Sequence, residues 1–375
     1  MKKILFCLLL VAVSLASCRP GRTSGVREGG TADSVRYARG FRIEPRDGYT
    51  CVEIANPWDT GKVLHRYVLV PSDRPLPASL PAGTLIRTPL RRVVVYTSVH
   101  CSLMDMLGVH EEVAGVCGSR YMDVGFVKEG LAGGRIADLG ESVQPDMEKM
   151  IEIAPDAVFT SPIDDQAGYG RLEKIGVPIV ECVDYMETHP LGRSEWVKLF
   201  GLLFGREAEA DSLFRSTAEA YDRTKRLADS VKTRPTLLAE YRMGPAWYVP
   251  GGRSYMAAIY RDAGADYLWD DTSDTGSVPL SFEHVLERAA GADVWVMKYN
   301  RSEDMTYADL KADYAGYALF DAFRNKSVFA CNTGRTTYYE DLTVHPDYIL
   351  KDLVWVLHPE LLPDYTPRYF ARMRD

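Results

Sequence analysis

The sequence predicts an α/β protein of two lobes joined by one long helix, with a small N-terminal β-rich extension. Three observations carry that prediction. Short β-branched runs alternate with helix-forming stretches over residues 91–190 and again over 234–375. Such alternation signals mostly parallel sheets covered on both faces. Between these stretches, in a segment assigned to 191–233, the strands stop and a single amphipathic pattern takes over. Finally, residues 147–159 and 282–295 echo each other as helix, turn, acidic residue and buried strand, with a two-residue slip before the Asp.

The chain opens with Lys2 and Lys3, an apolar run over 4–13, and then Leu15-Ala16-Ser17-Cys18. That is the layout of a secretory signal over 1–17, and the run is too short to span a bilayer. Leu-Ala-Ser-Cys resembles the bacterial lipobox, which makes Cys18 the expected lipidation site; the alternative is a plain signal peptide with an incidental cysteine. Residues 18–36 are poor in apolar groups and read as a tether. Over 37–90, strands are expected at 49–54 and 64–70, with turns at Asn56-Pro57-Trp58-Asp59 and in the proline-rich stretch 71–81.

The first lobe begins with a strand over 92–97 and a helix over 99–107, stopped by Gly108. A strand at 113–117, a helix at 146–153 and a strand at 157–160 come next. A helix at 171–175, stopped by Gly176, then leads into a strand at 177–182. In the connecting segment Ala210, Leu213, Phe214, Thr217, Tyr221, Leu227 and Ala228 fall mostly three or four apart. One helix over 207–231 accounts for them, about 37 Å long at 1.5 Å per residue. The second lobe reads as strands at 236–241, 293–298 and 328–331, with helices at 254–262, 282–289, 318–323 and from Pro346 to about 357.

The net charge of −8, with no basic run, argues against a nucleic-acid partner. Cys51, Cys101, Cys117, Cys182 and Cys331 are odd in number and lack CxxC spacing, so no disulfide framework or zinc knuckle is indicated. They are expected to be small buried thiols. No Gly-x-Ser-x-Gly, His-Glu-x-x-His or Walker lysine occurs, so no enzymatic activity and no cofactor are expected.

Arg92-Val93-Val94-Val95 running to Leu107-Gly108, Val113-Ala114-Gly115-Val116, residues 148–158, and Gly201-Leu202-Leu203-Phe204-Gly205 followed by Glu209 resemble the helix-linked substrate-binding proteins. These serve ABC importers of ferric siderophores, haem and cobalamin. The resemblance covers about residues 90–360 and implies a monomeric, lipid-anchored, extracytoplasmic receptor. Its partners would be a metal chelate, with a ferric siderophore preferred, and an ABC permease. It also implies that one exposed glutamate per lobe, Glu148 and Glu283 by motif position, pairs with permease arginines. The alternative for each is an ordinary solvated carboxylate favoured by the helix dipole.

In open α/β sheets, ligands gather beyond the carboxyl ends of strands. That rule selects His100, Arg120, Tyr121 and Tyr185 in the first lobe. In the second it selects Tyr241, Arg242, Trp247, Arg253, Tyr299, Arg335 and Tyr338, with Tyr248, Lys298 and Tyr339 beside them. Tyrosine faces and arginine forks suit a large, flat, partly anionic solute. Each tyrosine taken singly reads first as half-buried core, and His100 first as an uncoordinated structural histidine; the cluster, more than any member, points to a ligand. Two other readings stay open: a bare metal-ion receptor drawing on His100, His189, Glu240 and His345, and a metal-dependent hydrolase.

Overall fold

The computed structural model describes residues 35–165 and 168–375; the signal sequence, Cys18 and nearly all of the tether lie outside the described residues. The extension is a four-stranded sheet of β1 (Phe41–Arg46), β2 (Tyr49–Ala55), β3 (Val63–Pro71) and β4 (Thr84–Thr88). It is antiparallel except for the parallel β3–β4 pair. The extension covers an edge of the first lobe. Tyr67 Oη donates to the Ile179 carbonyl at 3.0 Å and accepts from the Glu181 amide at 2.8 Å. One phenol thus satisfies two backbone groups that an edge strand would otherwise expose.

The first lobe contains β5 (Val93–Val95), β6 (Val113–Val116), β7 (Ala137–Asp138), β8 (Ala157–Thr160) and β9 (Ile179–Glu181). These are all parallel, in the order β7-β6-β5-β8-β9. The second lobe contains β10 (Thr236–Ala239), β11 (Arg242–Met243), β12 (Ala246–Pro250), β13 (Asp266–Tyr267), β14 (Ser277–Leu280), β15 (Val294–Tyr299), β16 (Val328–Asn332) and β17 (Ala371–Arg372). Its main sheet runs β13-β10-β15-β16-β17, parallel except for β17. Within this frame β6-β5-β8-β9 and β13-β10-β15-β16 share one strand order. The sequence echo is therefore a topological one: in each lobe the repeated helix feeds the strand beside the lobe's first strand.

The linking helix spans Glu207–Asp229, about 35 Å at 1.5 Å per residue. Glu207 and Glu209 lie in its first turn and Arg226 in its last, the polarity that the helix dipole favours. Its buried stripe of Ala210, Phe214, Thr217, Tyr221 and Ala228 packs against the helices Val197–Phe204 and Pro346–Leu357. The first of these crossings is close: a Cβ on Gly201 would sit 2.6 Å from that of Ala210. At the far end Tyr221 Oη donates to Asp262 of the second lobe at 2.8 Å. No helix among the described residues is long and apolar enough to cross a membrane.

The chain just after the tether is clasped by two buried carboxylates. Glu195 accepts from the amides of Arg36, Tyr37 and Ala38, and Glu187 from those of Arg39 and Gly40. The five cysteines beyond the tether, Cys51, Cys101, Cys117, Cys182 and Cys331, are free and buried.

Candidate functional site

The site grows from the end of β10. Glu240, the residue after it, has φ +63°, a left-handed conformation that costs a non-glycine residue about 1–2 kcal/mol. Three hydrogen bonds hold it there: Glu240 N to Val296 O at 2.8 Å, Trp295 Nε1 to Glu240 O at 2.6 Å, and Trp247 Nε1 to Ala239 O at 2.9 Å. The bend starts the β11–β12 hairpin, which with β14 forms a small antiparallel sheet. Successive strand residues point to opposite faces. Accordingly Trp247 is fully buried, 5.5 Å from both Trp295 and Phe320, while Tyr248 is 43% exposed.

The bend also brings the Glu240 carboxylate onto the Lys298 ammonium at the end of β15, a pair that is mostly shielded from solvent. Burial pulls Lys298 down to about 8, and the adjacent carboxylate acts in the opposite sense. The helix Tyr338–Val344 adds Tyr338 and Tyr339 at its start. The helix Tyr255–Asp262 adds Tyr255, held by a hydrogen bond from its hydroxyl to Leu342 O at 2.6 Å.

Facing this wall are Tyr185 and Met186, from the turn Asp184–Met186, and Arg193, from the helix Pro190–Glu195. Arg193 donates to the carbonyls of Asp184 and Tyr185 at 3.2 and 2.8 Å, and its guanidinium lies 4.8 Å from the centre of the Tyr255 ring. The two walls enclose a groove of about 540 Å³. Tyr185, Tyr241, Tyr248, Tyr255, Tyr338 and Tyr339 line it together with Met186, Met243 and Met256. Burial raises the phenols of Tyr185, Tyr241, Tyr255, Tyr338 and Tyr339, so these hydroxyls stay neutral at physiological pH.

Of the residues selected from sequence, the groove brings together Tyr185, Tyr241 and Tyr338, along with Tyr248, Lys298 and Tyr339. The others lie elsewhere. His100 is fully buried against Phe159 and Phe200, with Nε2 3.3 Å from Asp184. Trp247 is core. Arg242 lies 4.1 Å over the Tyr314 ring, and Arg253 is exposed outside the groove lining. Arg120 stacks on the exposed Tyr121 and pairs with Glu141 at 3.3 Å. Tyr299 and Arg335 line a separate recess of about 270 Å³ with Arg368, Arg372 and Arg374.

Sequence reasoning missed Arg193 and Tyr255, which sit inside helices, because the selection rule looks only at loops after strands. Of the other histidines considered for a metal, the His189 ring accepts from Leu191 N, and His345 stacks on Tyr348. Among the described residues, no group of three or more His, Cys, Asp or Glu is arranged to hold a metal ion.

Glu148 and Glu283 occupy matching places. Each is exposed and is the second residue of its helix, Met147–Ile153 or Phe282–Ala289. Each helix begins at a side-chain cap, Asp146 or Ser281, that accepts from its first-turn amides.

Two lobes of like topology, a linking helix and a groove between them define a solute-binding protein of the helix-linked class. The chain belongs to the periplasmic binding protein family, whose model matches residues 93–333. An uncharacterized lipoprotein of Methanocaldococcus jannaschii is 31% identical over 298 residues, covering 77% of this chain and 70% of that one. Among solved structures, the chain resembles a TroA-like periplasmic binding protein from Veillonella parvula (TM-score 0.59, 16% identity, 77% of this chain and 96% of that one). It also resembles a periplasmic heme-binding protein from Pseudomonas aeruginosa (TM-score 0.58, 18% identity, 76% and 99%). A third neighbour, from an Fe3+-hydroxamate transport system of Saccharomonospora viridis, has a TM-score of 0.53 at 21% identity, over 72% and 93%.

Proposed function

We propose that this protein is an extracytoplasmic receptor, anchored through a lipidated Cys18, that captures a metal chelate and delivers it to an ABC permease. A ferric siderophore is the preferred cargo, with cobalamin or haem as alternatives. The observation that carries the reading is the groove itself: six tyrosines and three methionines in a cleft of about 540 Å³ between two lobes. Aromatic and thioether surfaces bury a large apolar body, and the hydroxyls hydrogen-bond its polar edge. The hydroxamate and heme proteins that share the fold support a chelate as the solute class. The relative described as a lipoprotein supports the anchor.

Delivery needs a docking face. Glu148 and Glu283, one per lobe at equivalent helix starts, fix an orientation against two basic sockets and speed encounter. Protein purified from its native host, examined by absorption spectroscopy and mass spectrometry, is expected to carry a chelate. Repeated purification with no bound small molecule and no affinity for chelates would end the reading. Charge reversal at both glutamates is expected to leave solute affinity intact and abolish uptake. Loss of affinity instead would remove them from the docking role.

A further inference from the structure

Resting on the groove as the solute site, we infer that the cargo is an amphipathic chelate bearing at most one net negative charge, and that Arg193 reads that charge. The argument is a charge count. The charged residues lining the groove are Glu187, Arg193, Glu240 and Lys298, two acids and two bases. Glu240 and Lys298 neutralise each other by direct contact. Glu187 is 5% exposed and turned to the amides of Arg39 and Gly40 and to Trp196 Nε1, and as an acid it supplies no counter-charge to an anionic solute.

Arg193 remains. It is half-buried at the groove wall, bonded only to carbonyls and a ring face, with no ion-pair partner among the described residues. Two of its five N–H donors are taken by those carbonyls, and the three that remain, on a guanidinium held by neutral acceptors, suit one carboxylate or one comparable oxyanion. The remaining wall of tyrosine and methionine offers hydrogen bonds but no cation. Burying an anion without a counter-charge is costly, so a trianionic solute would leave two charges uncompensated here.

The arginines that sequence reasoning placed in the groove do not alter the count. Arg335 shares its separate recess with Arg368, Arg372 and Arg374. Arg242, over the Tyr314 ring, Arg120, paired with Glu141, and the exposed Arg253 all lie outside the groove lining. The Glu240 backbone adds a second line of support. A left-handed, triply hydrogen-bonded bend holds its carboxylate on Lys298 and denies that ammonium to the solute.

The test is titration calorimetry of the mature protein with four probes. Ferrichrome is an uncharged ferric trihydroxamate, and cyanocobalamin is uncharged. Haemin carries one net negative charge, with carboxylates to offer, and ferric enterobactin is trianionic. At least one of the first three is expected to bind 100-fold or more tightly than ferric enterobactin. Arg193→Gln is expected to weaken haemin about tenfold and to leave the uncharged probes within twofold, while Arg193→Lys restores most of the haemin affinity. Thermal melting checks that both variants are folded.

Ferric enterobactin binding as tightly as the best of the others would overturn the charge inference and leave the receptor reading standing. An equal loss for charged and uncharged probes in Arg193→Gln would make Arg193 a packing residue and overturn its role. Binding of none of the four would overturn the chelate reading itself and the inference with it.

Discussion

The two lobes share a strand order but differ in how the chain leaves the first strand of each. After β5 the chain enters the helix Ser98–Met106, and its first polar ring, His100, disappears into the core beside Asp184. After β10 the chain bends through a left-handed Glu240 and throws out a hairpin. Most of the groove is built on that second solution: Tyr241, Met243 and Tyr248 come from the hairpin, and Lys298 is held by the bend. One framework thus supports two uses of the same position, a buried anchor in one lobe and a solute wall in the other. The lesson is that topology locates a candidate site, while the local connection decides whether side chains reach it.

Substitutions on the two sides of this comparison are expected to separate stability from binding. The largest effect belongs beneath the hairpin. Trp247→Ala removes a fully buried indole stacked on Trp295, together with the bond to Ala239 O. It should cost about 3–5 kcal/mol, read by urea denaturation, and weaken binding by loosening the wall. Unchanged stability would show that the hairpin does not rest on this core.

Next comes the matching position of the first lobe. His100→Ala opens a cavity and strands the buried Asp184 carboxylate. A loss of about 2–3 kcal/mol is expected, with chelate affinity of the folded protein unchanged. A selective loss of affinity would return His100 to the site. The smallest effect on stability falls on the exposed side of the hairpin. Tyr248→Ala should change stability by less than about 0.5 kcal/mol while weakening chelate binding about tenfold, or about 1.4 kcal/mol. Calorimetry against the parent decides it, and full affinity would detach the hairpin face from the groove.

Much of the architecture was legible in the residues. The stripe from Ala210 to Ala228 announced the linking helix within two residues of its observed end at Asp229. The echo around Glu148 and Glu283 located two equivalent helices, and the structure adds that each begins at a side-chain cap, Asp146 or Ser281. The small sheet of β11, β12 and β14 was not anticipated, because two- to five-residue strands around Gly244 carry too little periodicity to register.

Within the site, tyrosines were easier to place than arginines. A tyrosine at a strand end is drawn to any half-buried surface, whereas an arginine settles with whatever partner it meets first. Arg242 met Tyr314, and Arg120 met Tyr121 and Glu141.

By itself the sequence determined the alternation of strands and helices, the connector, and the pairing of like segments, since these rest on short-range periodicity and capping chemistry. Only the tertiary structure decided that Trp247 faces inward and Tyr248 outward. Strand parity inverts with a one-residue change of register, and nothing local specifies that register. The placement of Arg193 opposite Tyr255 was likewise beyond local reading. Those residues belong to helices on either side of the linking helix Glu207–Asp229, and only tertiary packing brings them face to face.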